Sequence, residues 1–418
     1  MRTLDTVIIG AGQAGLAMSR CLTERGISHV VLERGRVAQA WRDRWDSLRL
    51  LTPNWQTRLP HFSYRGPSRD GFLHRSEIID FFEQYRASFA APVCEGAEVA
   101  SVSADAQSGF WVHTSVGAFA ARHVVIATGH CMHPSLPAWA SQLDPRLVQV
   151  TTSDYKSPAG LPPGGVLVVG ASATGVQLSH ELQLAGHAVT LAVGRHCRMP
   201  RSYRGRDIME WLDSTGILHE RLDQVRDIRA SRRAPSLQLV GSDDHRNLDL
   251  GTLQDLGVRL CGRALGGSGS RIECDRDLGR AVSASEAKLA RVLQRIDDHI
   301  AAAGLGSSVE PSRRLPRVRV PAGDAALDLA ALGIRSVLWA TGYRRSYPWL
   351  KLPILTSDGE IAHANGVTPF PGAYVLGLNF QRRRSSSYID GVGDDARQLS
   401  ELIARRLGQQ RTAAPAQV

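Results

Sequence analysis

Val7-Ile8-Ile9-Gly10-Ala11-Gly12-Gln13-Ala14-Gly15-Leu16 runs from an apolar strand directly into a helix, and the rest of the chain is read from it. Gly10 permits a tight turn, Gly12 keeps side chains away from an approaching pyrophosphate, and Gly15 lets the helix pack close against the strand. The unpaired N–H groups and positive dipole end of the helix then face phosphate. Glycines of an ordinary loop would spell the same motif, so its flanks decide. A strand precedes it, the helix closes on Arg25-Gly26, and a second strand, His29 to Leu32, delivers Glu33, 18 residues after Gly15. A carboxylate there takes both ribose hydroxyls and repels a 2′-phosphate, which predicts FAD or NAD rather than NADP at this site.

The pattern recurs beyond Pro158-Ala159-Gly160-Leu161-Pro162-Pro163-Gly164-Gly165, a breaker cluster read as a linker. Val166-Leu167-Val168-Val169-Gly170-Ala171-Ser172-Ala173-Thr174-Gly175 is followed by a helix to Leu184 and a strand from Ala188 to Val193. Ser172 replaces the middle glycine and is small enough to leave the phosphate approach open. This copy ends on Gly194-Arg195-His196-Cys197-Arg198, without an acid. Arg195 and Arg198 suit a 2′-phosphate through charge-assisted hydrogen bonds, so NADPH is predicted as the second dinucleotide. Solvated arginines in a loop are the alternative. Two such copies predict an α/β protein with two Rossmann-like dinucleotide-binding domains.

With 418 residues, 43% hydrophobic and 22% charged, the chain can bury two cores. No apolar run approaches the roughly 20 residues of a membrane span. With a strand at the outset leaving no room for a signal peptide, a cytoplasmic location without a membrane partner is expected. The formal charge of +10 raises nucleic acid as a partner, but the basic residues are nearly all arginine and are spread along the chain. Their densest cluster, Arg382-Arg383-Arg384, sits among serines with no aromatic interleaving for base stacking, so no nucleic-acid partner is expected. The six cysteines include no Cys-x-x-Cys pair, which argues against a flavoenzyme working through vicinal thiols, and their spacing offers no metal site. A homodimer is left open.

Residues 37–53 carry Trp41, Arg42 and Trp45 in a segment neither cleanly helical nor cleanly extended, read as an ordered loop covering a large cofactor. A helix is predicted over 76–89, and a hairpin from strands 98–104 and 110–115. Val124 to Ala127 is a buried strand ending in the turn Ala127-Thr128-Gly129. Between Asp207 and Asp324, helices are expected at 207–212 and 283–303, and 262–270 is read as flexible and turn-rich. A strand then repeats the earlier turn as Ala340-Thr341-Gly342-Tyr343. A last strand is placed at 374–378, and a helix reaches about Leu407. Because 1–150 supplies too few strands for the first domain, the C-terminal segment is predicted to fold back onto it. The expected division is 1–155 plus 325–410 for the first nucleotide, 160–324 for the second, and a disordered tail over 411–418.

Together these stretches resemble the class B flavoprotein monooxygenases, most closely the branch holding the plant YUCCA and bacterial CzcO-like proteins. The likeness rests on Gly10 to Gly15 with Glu33, on Trp41-Arg42, Asp46-Ser47-Leu48-Arg49-Leu50 and Pro53, on Leu59-Pro60, on Gly170 to Gly175, and on both Ala-Thr-Gly turns. The resemblance implies FAD at the first site and NADPH at the second. It further implies a C4a-peroxyflavin that passes one oxygen atom of O2 to a small organic substrate, by N or S oxidation or by attack on carbonyls including 2-oxo acids. FAD contacts are then expected from Gly10, Gly12, Gln13, Ala14, Gly15, Glu33, Arg34, Trp41, Arg42, Trp45, Leu48, Thr52, Val99, Thr128, Gly129 and Asp390. NADPH contacts are expected from Gly170, Ser172, Ala173, Thr174, Gly175, Arg195, Arg198, Ala340, Thr341, Gly342 and Tyr343. Asn54 and Gln56 are candidates for the catalytic pocket by position only. The chain departs from the family fingerprint before the second motif, over Leu136 to Tyr155: it keeps the aromatic position as Tyr155, while a Thr stands where the His is usual, and it has Leu51 where animal-type members carry Asn. An NADPH-dependent reductase or oxidase without an organic product is the competing enzyme reading, and a flavin-bound redox sensor the non-enzymatic one.

Overall fold

In the computed structural model, residues 3–105, 109–313 and 315–413 are described. Strand β1 (Leu4–Ile9) is buried on both faces, as a central parallel strand must be, and ends in the apolar run Val7-Ile8-Ile9. It lies between β2 (His29–Glu33) and the long β6 (Gly117–Ile126), both parallel to it, and β3 (Val93–Glu95) continues the sheet beyond β2. β6 has two partners on its far side. Its first half pairs antiparallel with β5 (Gly109–Thr114), which in turn pairs with β4 (Val99–Asp105). Its second half takes β17 (Ala373–Val375) in parallel, with Ala373 opposite Val124. The C-terminal segment therefore does fold back, and helix α6 (Val392–Ala413) packs on α1 (Gln13–Thr23).

The second sheet is all parallel, in the order β7 (Val148–Thr151), β16 (Ile334–Trp339), β8 (Gly165–Val169), β9 (Val189–Val193), β12 (Arg259–Gly262). Two of these strands come from stretches assigned by sequence to the first unit. The pairing is set by register, with Val337 opposite Gln149 of β7 on one side and Leu167 of β8 on the other, and in that place Val337, Leu338 and Trp339 are at most 1% exposed.

The stretch 262–270 is also more ordered than expected. Ala264–Ser268 (β13) forms an antiparallel hairpin with Arg271–Cys274 (β14), extended by Ala326–Asp328 (β15). Its glycines serve packing: a Cβ on Gly267 would lie 2.7 Å from Ile272 and 3.0 Å from Trp139. Helix α2 (Arg75–Ser88) starts with Glu77 accepting the His74 N–H at 2.8 Å, a residue earlier than predicted. At the C-terminus α6 continues through Gly408 to Ala413, overriding the expected tail, whose residues 414–418 lie outside those described, as does the hairpin turn at 107–108.

Between β9 and β12 the chain builds a separate cap. Met199, Ile208, Met209, Trp211 and Leu212, the last four on α4 (Ile208–Ser214), pack with Leu289, Ile296 and Ile300 of α5 (Leu278–Ala302). Leu51, Trp55 and Tyr388, from outside the cap, pack against this core. No described helix is long and apolar enough to cross a membrane.

Candidate functional site

The first glycine motif has the shape a pyrophosphate needs. Gly10 has φ of 104°, and a Cβ there would lie 2.6 Å from the Ala127 carbonyl oxygen. A Cβ on Gly15 would lie 1.8 Å from the Gly10 oxygen, which ties the helix to the strand. Gly12 is different, because a Cβ there would meet no protein atom within 4 Å. That glycine keeps space open for something other than protein. The helix returns its first bond from Leu16 N–H to the Gly12 carbonyl at 3.0 Å, so the preceding N–H groups are left to face a ligand. No acid stands in the first turn of α1. Glu33, 8% exposed at the end of β2, accepts the Ala11 N–H at 2.8 Å on one oxygen and the Gly35 N–H at 3.0 Å on the other. Each oxygen keeps a lone pair for a hydroxyl, so the cradle fits an adenosine dinucleotide with a free ribose.

The second motif repeats these relations. Gly170 has φ of 111°, with the Ala340 oxygen 2.4 Å from its would-be Cβ, and Gly175 stands 1.8 Å from the Gly170 oxygen in the same sense. Val176 N–H returns to the Ser172 carbonyl at 3.1 Å, and the Ser172 side chain makes no cap bond. The two Ala-Thr-Gly turns thus do the same work, each abutting the first glycine of one motif. Ala173 is buried beside them, and Thr174 is half-buried on the helix start. Thr341 and Gly342 are exposed, the Thr341 hydroxyl donating to the Ser135 carbonyl.

At the end of β9 the two predicted arginines part company. Arg195 is exposed, and Arg263, which sequence reading missed, lays its side chain against Gly194. Arg198 is 3% exposed and fully committed: Nε donates to Asp249 at 2.7 Å, Nη1 to Glu286 at 2.6 Å, and Nη2 to the Pro316 carbonyl at 2.6 Å. Its assignment to the 2′-phosphate is therefore corrected. A buried guanidinium with three acceptors holds the cap together and faces those partners instead of a ligand.

From the first cradle a continuous cavity of about 1450 Å³ runs between the sheets and under the cap. Ile9, Gly10, Gly12, Gln13, Ala14, Glu33, Arg34, Trp41, Thr52, Val99, Thr128 and Gly129 line it, as does Tyr343 from the second unit. Other expected contacts point elsewhere. Arg42 binds Glu83 at 2.7 Å and the Val37 carbonyl at 3.0 Å, while Trp45 and Leu48 are buried in the main core. The Asp390 carboxylate is held by Arg58 through two bonds, at 2.7 and 2.8 Å. Asn54 is spent on backbone, donating to the Ser68 carbonyl and accepting the Leu73 N–H, both at 2.9 Å, so it pins a loop and does not face the cavity. Gln56 is buried and borders a separate, smaller cavity of about 450 Å³.

Where the two units meet, the cavity wall carries Arg44, His130, Cys131 and Tyr343. Arg44 donates to the Tyr343 hydroxyl, which also bonds Thr152 at 2.8 Å. Burial opposes ionisation of the Cys131 thiol, but His130 and Arg44 outweigh it and bring its pKa down to about 7. Arg44 and Cys131 were not singled out from sequence. An arginine and a cysteine 87 residues apart give no local pattern to read.

Comparison with known proteins agrees with this geometry. The pyridine nucleotide-disulphide oxidoreductase family matches residues 7–230. A CzcO-like oxidoreductase of Geobacillus kaustophilus is 31% identical over 401 residues, covering 95% of this chain and 97% of that one. Indole-3-pyruvate monooxygenase YUCCA1 of rice is 33% identical over 196 residues, covering 45% of this chain and 47% of its own length. The flavin-containing monooxygenase of Stenotrophomonas maltophilia superposes with a TM-score of 0.65 at 18% identity, covering 97% of this chain and all of that one, which shows a shared fold. With a family match across more than half its length and a full-length CzcO-like relative, the chain belongs to the pyridine nucleotide-disulphide oxidoreductase family.

Proposed function

We propose that the protein is an FAD- and NADPH-dependent monooxygenase, transferring one oxygen atom of O2 to a small organic substrate. The observation that carries this reading is the cavity itself. It is lined by the Gly10–Gly12 turn, by Arg44 and Tyr343 and by residues of the cap, and at about 1450 Å³ it exceeds the roughly 300–1,000 Å³ of an ordinary ligand site. A long cofactor and a substrate therefore fit together in one enclosure. Bound FAD would supply the redox and oxygen-activating chemistry.

The chain's own residues bind, orient and exclude water. The first N–H groups of α1 would hold the pyrophosphate of FAD, Gly12 would let it approach, and Glu33 would receive the ribose hydroxyls. Ser172 and the start of α3 (Ala173–Leu184) would do the same for NADPH, with Arg195 and Arg263 as the cations for its 2′-phosphate. The division into a flavin unit and a pyridine-nucleotide unit follows the two sheets. Leu51 and Tyr388, which line the cavity and pack against the cap, shield its interior from solvent.

NADPH oxidation under 18O2, with mass spectrometry of the products, tests the proposal. One labelled atom in an organic product is expected. Oxidation of NADPH with one hydrogen peroxide formed from O2 per NADPH consumed, and no label in any organic compound across amines, sulfides, ketones and 2-oxo acids, would establish the reductase or oxidase reading instead.

A further inference from the structure

The two cradles hold an equivalent peptide by different means. In each motif the carbonyl of the alanine after the first glycine, Ala11 or Ala171, shares one peptide with the N–H of the residue that follows, Gly12 or Ser172. Across a planar trans peptide these two groups point in opposite directions, so a bond to the carbonyl aims the N–H. In the first cradle the Ala11 carbonyl accepts the Ala38 N–H at 3.2 Å, a backbone donor from the segment just after β2. In the second, the Ala171 carbonyl accepts from the Gln238 side chain, with Nε2 at 2.7 Å, across 67 positions of sequence.

Gln238 ends the short strand β11 (Leu237–Gln238), which pairs in parallel with β10 (Cys197–Arg198). It is 0% exposed, and its Oε1 has no hydrogen-bond partner among the described residues. An apolar side chain of the same shape would avoid burying that unanswered acceptor, so the bond to Ala171 is what accounts for the amide. The next residue is held as well, the Leu239 carbonyl accepting from Gln177 of α3 at 2.9 Å. From there the strap 237–243 crosses to the first unit. A Cβ on Gly241 would lie 2.2 Å from the Leu50 carbonyl oxygen and 2.6 Å from Phe72, and Asp243 accepts two bonds from Arg49, at 2.5 and 3.1 Å. Leu50 lines the main cavity. The three residues from Gln238 to Gly241 span at most about 10 Å, which leaves the strap little slack between its two contacts.

We infer that Gln238 is a positioning residue for the second cradle: it sets the Ala171–Ser172 peptide so that the Ser172 N–H is presented to a dinucleotide, and its strap keys that setting to the Leu50 wall of the cavity. The inference rests on the second motif taking NADPH and is independent of oxygen transfer. The first cradle draws the equivalent donor from its own backbone, which no substitution removes. The second draws it from a side chain anchored on the other unit, so its grip on the pyridine nucleotide depends on how the two units meet.

The test uses the FAD-loaded protein with NADP+ as the probe, binding being followed by calorimetry between about pH 5.5 and 9 and folding by FAD content. Gln238→Met keeps the length of the side chain and removes the donor, and should weaken NADP+ by about tenfold with FAD content unchanged. Gln238→Glu should approach the unaltered protein as pH falls, where its carboxyl carries a proton to donate to the Ala171 carbonyl, while the Met variant stays weak at every pH. Comparison with the unaltered protein at the same pH cancels titration of the nucleotide's own phosphate. Gly241→Ala, whose added methyl meets Leu50 and Phe72 and not the second motif, should also weaken NADP+, by about threefold or more. Unchanged affinity in Gln238→Met, equal weakness of the Glu and Met variants at every pH, or loss of FAD together with NADP+ would overturn the assignment of Gln238. Unchanged affinity in Gly241→Ala would overturn the keying to Leu50. Absence of NADP+ binding by the unaltered protein would overturn the dinucleotide reading and this assignment together.

Discussion

Arg44 lies across the face of Tyr343, its guanidinium carbon 4.9 Å from the ring centroid, and also donates a hydrogen bond to that residue's hydroxyl. The pair joins the segment after the first cradle to the turn behind the second. Tyr343→Phe keeps the stacking and removes the bonds to Arg44 and Thr152. A hydrogen bond to a charged group is worth roughly 1.5–3 kcal/mol. NADPH affinity should therefore fall about tenfold or more, with FAD content unchanged. Fluorescence titration of the pyridine nucleotide checks this, and equal losses of both nucleotides would count against it.

The arginines after β9 should separate by phenotype. Arg195→Ala removes an exposed cation and should weaken NADPH by about tenfold or more while sparing NADH. Arg198→Ala should instead act on stability. It leaves Asp249, 11% exposed at its side chain, without its cation, a loss of about 3–5 kcal/mol for a buried pair. Thermal unfolding of the two variants side by side measures the contrast.

Glycine substitutions should divide in the same manner. Gly12→Val points a side chain into space that no protein atom occupies, so the apo chain should melt as before yet stay colourless after incubation with FAD. Gly175→Ala places a methyl 1.8 Å from the Gly170 oxygen and forces the helix off its strand. That variant should lose NADPH binding and remain yellow. A yellow, fully loaded Gly12→Val protein would contradict the cradle geometry.

Cys131 gives a pH signature. Because its pKa is lowered to about 7, the thiolate dominates above that value and is lost below it, so alkylation by iodoacetamide should rise with a midpoint near pH 7. Arg44→Ala removes one of the two groups opposing burial and should move the midpoint upward. Mass spectrometry of the Cys131 peptide over pH 5–10 provides the reading.

Much of the fold was legible because it is written locally. Glycine spacing, apolar runs and the acid at Glu33 are all contiguous signals, and the two copies reinforce each other. Long-range pairing was legible only as a shortage of strands, which anticipated β17 but misplaced β7 and β16. Their apolar runs suit either sheet, and only register with β8 decides. Site residues divide along the same line. Backbone-defined positions such as Gly12 and Gly170 were readable, whereas Arg42, Arg198 and Asp390 are the right residue type in the right segment, drawn away by partners 41, 51 and 332 positions distant. Arg44 reaches the cavity, and Gln238 the second cradle, through tertiary packing that no sequence window contains.

The late arrival of β17 in an otherwise N-terminal sheet sets an order of assembly. All strands of the parallel second sheet are in hand once Trp339 has left the ribosome, while the edge of β6 from Val124 to Ile126 waits for residues 373–375. Emerging chains thus carry a finished rear lobe beside an open-edged front one, and stalled or truncated products ending before residue 373 should be the species that chaperones retain.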